Sequence, residues 1–374
     1  MKYFAKGITT GFLLIFGAVV ILSSCNKDVE QFSDPVPVTS PTLADIINTD
    51  ANYSILKNAL TRTGIISMLA TKGGTYTVFA PDNNAFIASG LSDATVTAMP
   101  IATLTGLMQY HVITENIPAA SIPAKFPNLQ MPTLIQLPGG NPLVRMNIFP
   151  AKNGGNYFVN NMPIAQTNAI TATNGVMHRV PFVVQPPSLV LAQMIYADPN
   201  FTYLTAAIAR ADSGQTGLNK LDSVLKFGAA NVTVFAPTNA AFQATLTALI
   251  TQALIAQGVP PATAAAQAAA LASSPTVFSN PALYAAMPAA TVRGIVAYHL
   301  LGSRAFSVNL PLTTSTIQTL IGPAPYPQLT VDRSTASPRL TGPGNLGTYA
   351  NFTAIDRMAV NGVWHVIDKV LLPQ

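Results

Sequence analysis

Charge and cysteine are what this sequence has least of. Of 374 residues only 9% are Asp, Glu, Lys or Arg, against roughly 25% in an average soluble chain. The acidic side is the thinner one: fourteen carboxylates, of which only Glu30 and Glu115 are glutamates. No spacing among them suggests the paired acids of a glycosidase. The nineteen basic residues form no run, so a nucleic-acid footprint is missing despite a pI of about 9.3. A single cysteine, Cys25, excludes an intramolecular disulfide and a cysteine-based zinc site. Phosphate loops, Gly-x-Ser-x-Gly elbows and His-Glu-x-x-His helices are also missing. The sequence therefore points to no enzyme chemistry, no cofactor and no metal. What it has in quantity is apolar residues, 49% of the chain, enough to fill two cores of the roughly 150 residues each that this length suits.

The lone cysteine is explained by its position. Met1 to Lys6 is short and basic, Gly7 to Leu22 is an apolar run, and Ser23-Ser24 supplies small residues at a cleavage point. The run is brief for a membrane span of about 20 residues. Leu22-Ser23-Ser24-Cys25 resembles the bacterial lipobox. That resemblance implies removal of residues 1–24, acylation of Cys25, and a mature chain held to a membrane by its lipid. Without Lys2 and Lys6, seventeen basic residues face fourteen acidic ones and the net charge falls from +5 to +3. Lys27-Asp28, with Glu30 close by, resembles the charged signals that route lipoproteins to the outer membrane of some Gram-negative bacteria, so surface exposure there is the expected location. Residues 25–38, carrying Pro35 and Pro37, read as an extended, semi-rigid tether.

The remainder is one unit written twice. Thr77-Val78-Phe79-Ala80-Pro81-Asp82-Asn83-Asn84-Ala85-Phe86 recurs as Thr233-Val234-Phe235-Ala236-Pro237-Thr238-Asn239-Ala240-Ala241-Phe242. Tyr110-His111 recurs as Tyr298-His299, and Asn174-Gly175-Val176-Met177-His178 as Asn361-Gly362-Val363-Trp364-His365. The order is kept while the offset grows from 156 to about 188, so the second copy carries an insertion of roughly 30 residues. It falls near 244–286, where Leu246, Leu249, Ile250, Ala253 and Leu254 follow helical spacing, Gly258, Pro260 and Pro261 break it, and Ala262 to Ala272 opens a second helix.

Each copy predicts the same element order. A helical stretch (Leu43 to Leu69; Leu189 to Leu225, interrupted at Gly214 and Gly217) precedes a short strand (Tyr76 to Phe79; Val232 to Phe235). Pro81 or Pro237 then closes a turn, with Asp82 or Thr238 placed to cap the next helix. A helix runs to the Tyr-His pair, and Val/Ile/Thr-rich strands divided by Pro-Gly-Asn clusters follow. A last strand leaves the Asn-Gly turn (Val176 to Val184; Val363 to Leu371).

The TVFAP-x-N-x-AF segment, the Tyr-His pair and the NGV-x-H strand together resemble the fasciclin domain family, over residues 39–186 and 187–374. The resemblance implies an α+β fold, two tandem domains each built as a bent β-sheet wedge with packed helices, and a non-catalytic role in adhesion. The partners it implies are an extracellular protein or polysaccharide, with the membrane reached through the lipid anchor and no nucleic acid. The alternative is an accessory ligand-binding lipoprotein of a surface polymer-handling or uptake complex.

All four histidines, His111, His178, His299 and His365, lie in the repeated motifs. Two per copy without a carboxylate cluster make a poor zinc site, which wants three or four ligands, so hydrogen-bonded structural histidines are expected. His178, His365, Asn174, Gly175, Asn361 and Gly362 are assigned to the structural motif. The family's association of the Tyr-His pair with adhesion makes Tyr110, His111, Tyr298 and His299 the binding candidates. Animal fasciclin domains also carry an acidic integrin-binding motif before the Asn-Gly turn. Asp356 matches it in the second copy, whereas Ala169 stands at that place in the first, next to Asn168.

Overall fold

The computed structural model describes residues 40–374 except 125, 128, 138–142, 285–286 and 336. Cys25, the signal segment 1–24 and the tether 25–38 lie outside the described residues.

The hexapeptides Tyr76–Pro81 and Val232–Pro237 are buried along their whole length, with no alternation of apolar and polar residues. A strand reads that way only when both faces are covered. In the first copy Val78 and Ala80 face a layer of helices, packing with Leu56, Leu104 and Met108. Phe79 faces the other way, onto Tyr110, Ile113 and Ile148. The second copy repeats this: Val234 and Ala236 join the helical core, and Phe235 joins Tyr298, Leu301 and Leu329.

Each hexapeptide pairs in parallel with the strand that follows the Asn-Gly turn. Tyr76–Pro81 runs beside Gly175–Val180 with Tyr76 opposite Gly175, and Val232–Pro237 beside Gly362–Ile367 with Val232 opposite Gly362. The flanks differ between copies. The first sheet has six strands, in the order Arg145–Ile148, Met131–Gln136, Val112–Ile113, Tyr76–Pro81, Gly175–Val180, Gln166–Ala172. In the second, Leu300–Leu301 is an edge, and the sheet grows from Gly362–Ile367 through Ala350–Ala359, Arg339–Thr341 and Leu329–Asp332 to Ser315–Ile317. Helices and sheets thus form an α+β fold in both copies.

Two helical expectations need correction. Leu43 to Leu69 is three helices, Leu43–Thr49, Ser54–Arg62 and Ile65–Leu69, because Asp50 caps a 3-10 turn and Gly64 adopts φ 73. Leu189 to Leu225 breaks at Gly214 and Gly217 as its glycines predict, at φ 80 and φ 55, and also at Asp198, which caps a turn at Pro199. The inserted helix also starts earlier than its apolar stripe. It runs from Asn239 to Ala256, extending the six-residue helix Asn83–Ala88 of the first copy to 18 residues. Gly258, at φ 88, ends it. The next helix, Pro261–Ala272, buries Ala264, Ala268 and Ala272, an alanine face at four-residue spacing that permits close approach.

The two copies meet through aromatic side chains. Phe149 of the first packs edge-on against Phe306 of the second at 5.8 Å, in a cluster with Val363. Arg304 is 4% exposed and lies 4.5 Å above the Phe149 ring. Its Nε donates to Asn231 Oδ1 and its Nη2 to the Val360 carbonyl. Burial pulls its pKa down to about 10. Asn153 reaches the Val308 carbonyl, and Asn231 donates to Gln130 Oε1 at 2.7 Å.

Candidate functional site

The repeated polar residues are the candidates for chemistry, and their partners decide what chemistry is open to them. His111 follows the last turn of Ile101–Tyr110. Its Nδ1 lies 2.8 Å from the Leu107 carbonyl, and its Nε2 lies 2.9 Å from the Val184 amide. A carbonyl can only accept and an amide N–H can only donate. The ring is therefore neutral, with its proton on Nδ1. His299 repeats the arrangement with the Ile295 carbonyl and the Leu371 amide. Burial lowers both pKa values to about 4. Each imidazole pins a helix to the segment that follows the last strand.

His178 and His365 use the other tautomer. Nε2 of His178 donates to the Ile117 carbonyl and Nδ1 accepts from the Asn168 amide; Nε2 of His365 donates to Ala305 and Nδ1 accepts from Asp356. Both rings are buried, stack on Phe79 and Phe235, and have pKa values lowered by that burial. Every nitrogen of the four rings has a partner inside the fold. Among the described residues no group of three or more His, Cys, Asp or Glu could hold a metal ion.

The Asn-Gly turns do similar work. Asn174 accepts the Leu43 amide at 2.9 Å and donates to the Leu69 carbonyl at 2.7 Å; Asn361 accepts from Leu191 and donates to Leu225. One buried amide thus holds both ends of the N-terminal helical layer. Gly175 sits at φ 148, and a Cβ there would lie 1.9 Å from the Tyr76 carbonyl oxygen. At Gly362 it would lie 2.3 Å from that of Val232.

Two further pairs, quoted above only as letters of the repeat, prove to be anchors. The Thr77 hydroxyl donates to Glu115 and accepts from the Ile117 amide, and Thr233 does the same with Ser303 and Ala305. Asn83 accepts the Ile55 amide and donates to Ala51; Asn239 accepts from Tyr203 and donates to Pro199. The signal was available: a short polar side chain kept in both copies inside an apolar strand or at its exit.

Tyr110, His111, Tyr298 and His299, the candidates for partner contact, are at most 1% exposed. The Tyr110 hydroxyl donates to the Asn147 carbonyl and lies 4.0 Å from Met358 Sδ in the second copy. That of Tyr298 donates to the Gln328 carbonyl. These four side chains contact their own fold.

Asp356 is also turned inward, its side chain 3% exposed. It adopts φ 58 and accepts from the amide and hydroxyl of Ser307, capping the 3-10 helix Ser307–Asn309. In the first copy that role falls to Asn168, at φ 46, which accepts the Ala119 amide at the start of Ala119–Ser121. The counterpart of Asp356 is thus Asn168 and not Ala169. A β-bulge explains the slip. Asn168 precedes His178 by ten residues and Asp356 precedes His365 by nine, with register shifts at different places in the two strand pairs.

Comparison with known proteins agrees with this repeated scaffold. The fasciclin domain family matches two stretches, residues 51–186 and 261–373, together more than half of the chain. The chain belongs to the fasciclin domain family. It is 32% identical over 149 residues to transforming growth factor-beta-induced protein ig-h3 of Sus scrofa, covering 39% of this chain and 20% of that one. The same protein of Oryctolagus cuniculus is 29% identical over 149 residues, covering 40% and 20%. The chain spans about a fifth of the length of these curated relatives. A FAS1 domain pair from the insect cell adhesion molecule Fasciclin I aligns over 85% of this chain and 95% of its own, with 15% identity and a TM-score of 0.35.

Proposed function

We propose that the chain is a lipid-anchored adhesion or binding protein, displayed on the outer membrane of a Gram-negative bacterium. Its two fasciclin copies would recognise extracellular protein or polysaccharide. The observation that carries this reading is the internal use of the histidines shared by the two copies: four neutral, saturated imidazoles in a fasciclin scaffold leave no reacting centre among them. Recognition then belongs to exposed loops. Two linked copies raise avidity through effective concentration, which needs no added chemistry.

The anchor supports the same reading. Cys25 follows the lipobox-like Leu22-Ser23-Ser24, and each acyl methylene buried in a membrane contributes about 0.8 kcal/mol. Cells grown with an alkyne-tagged palmitate should label the wild-type chain, and Cys25→Ser should abolish both label and membrane retention. A free thiol on a released product would contradict the anchor. Removing residues 40–374 behind an intact anchor should lower attachment of cells to matrix-coated surfaces, and unchanged attachment would refute the adhesive role.

A further inference from the structure

The insertion of the second copy does more than lengthen a helix. Its apolar stripe closes only partly on the core: Leu246 and Ile250 are buried, whereas Leu249 is 39% exposed. Between this helix, the helix Ala289–Tyr298 and the segment Val370–Gln374 lies a cavity of about 910 Å³. Its inner wall includes Phe278, Val292 and Val296, all buried. Small-molecule sites span roughly 300–1,000 Å³ and are mostly apolar with a few polar groups. An engineered apolar cavity of about 150 Å³ stays dry. One six times larger, with few groups to bind water, favours an apolar occupant that displaces poorly held solvent.

We propose that this cavity binds a neutral, apolar chain of the kind carried by long-chain alcohols, esters and isoprenoids. The choice of neutral over anionic lipid rests on the lining. No Lys, Arg, His, Asp or Glu is among the described residues that form it, so a carboxylate or phosphate inside would be desolvated without a counter-ion. Thr245, Gln257, Thr291, Tyr326 and Gln374 are its polar side chains among the described residues, suited to a hydroxyl or ester oxygen. The site goes beyond the adhesive reading and stands independently of it.

Gly294 allows the cavity to be filled with little disturbance. It lines the cavity within the helix Ala289–Tyr298, and a Cβ there meets nothing nearer than Ile321 Cδ1 at 3.9 Å. The full chain is titrated with the neutral fluorophore Nile red, then competed with hexadecanol and with ionised hexadecanoate. The expected result is saturable binding of one equivalent, displaced by hexadecanol in preference to hexadecanoate. Gly294→Leu and Ala253→Phe should each weaken it by at least about tenfold, with an unchanged or higher thermal midpoint. Ala253→Phe serves if Gly294→Leu fails to fold. Absence of saturable binding, equal displacement by hexadecanoate, or full binding in a folded filled variant would overturn the proposal. Transfer of the probe only in the presence of neutral phosphatidylcholine vesicles would do the same, because it would point to bilayer contact and not to a cavity.

Discussion

A buried histidine that accepts from a backbone amide cannot gain a proton without losing that bond. The folded chain therefore holds His111 and His299 neutral down to about pH 4, whereas in the unfolded chain they titrate near the ordinary value of 6.5. Between these values the unfolded state binds more protons, so stability is complete above about pH 6.5 and falls as the pH drops towards 4. Each ring contributes on the order of 3 kcal/mol to that slope. Thermal midpoints recorded across this window should decline, and His299→Ala, less stable at pH 7, should decline less steeply. Asp356 gives a second prediction. Asparagine does its work in the first copy and tolerates positive φ. Asp356→Asn should thus stay within about 1 kcal/mol of wild type, and Asp356→Ala should lose about 1–3 kcal/mol. Denaturant midpoints at pH 7 compare the two, and equal losses would contradict the capping role.

Among the elements, the parallel strand pair is the most sensitive point. Gly175→Ala would set a methyl against the Tyr76 carbonyl while asking alanine to hold φ 148, and Gly362→Ala would press on Val232. Either change should cost on the order of 3 kcal/mol or more, seen as a lowered unfolding midpoint or as loss of the folded chain on expression. The Asn-Gly turns and the apolar hexapeptides were legible in the sequence because they recur in the same order in both copies. The breaks at Asp50 and Asp198 were not, since helical apolar periodicity continues across a short 3-10 turn. The pairing of Asp356 with Asn168 was hidden too: a bulge moves a residue by one position without marking the sequence. The burial of Tyr110 was equally out of reach, because it is covered in part by the second copy and no local pattern encodes that contact.

For the whole molecule, a buried cation lies in the contact between the copies. Arg304 stands where the first copy has Asn116, as the matching bonds of Ala305 and Ile117 show, and it reaches across to Phe149. Arg304→Met keeps the length but removes the charge and leaves the Val360 carbonyl and Asn231 without their donor. The pair should loosen while each core persists. Small-angle scattering should show a larger radius of gyration with little change in helical circular dichroism, and an unaltered profile would show that the aromatic contacts suffice.

The placement of the last strand bears on how such a chain is made. Gly175–Val180 and Gly362–Ile367 arrive late in their respective copies yet occupy interior places in their sheets. Their partners, translated 99 residues earlier in the first copy and 130 in the second, must wait for them with an apolar edge uncovered. Such distant pairing makes closure slow. Until its final segment has been made, each half lacks an interior strand of its sheet, a state in which chaperones or proteases can still reach it.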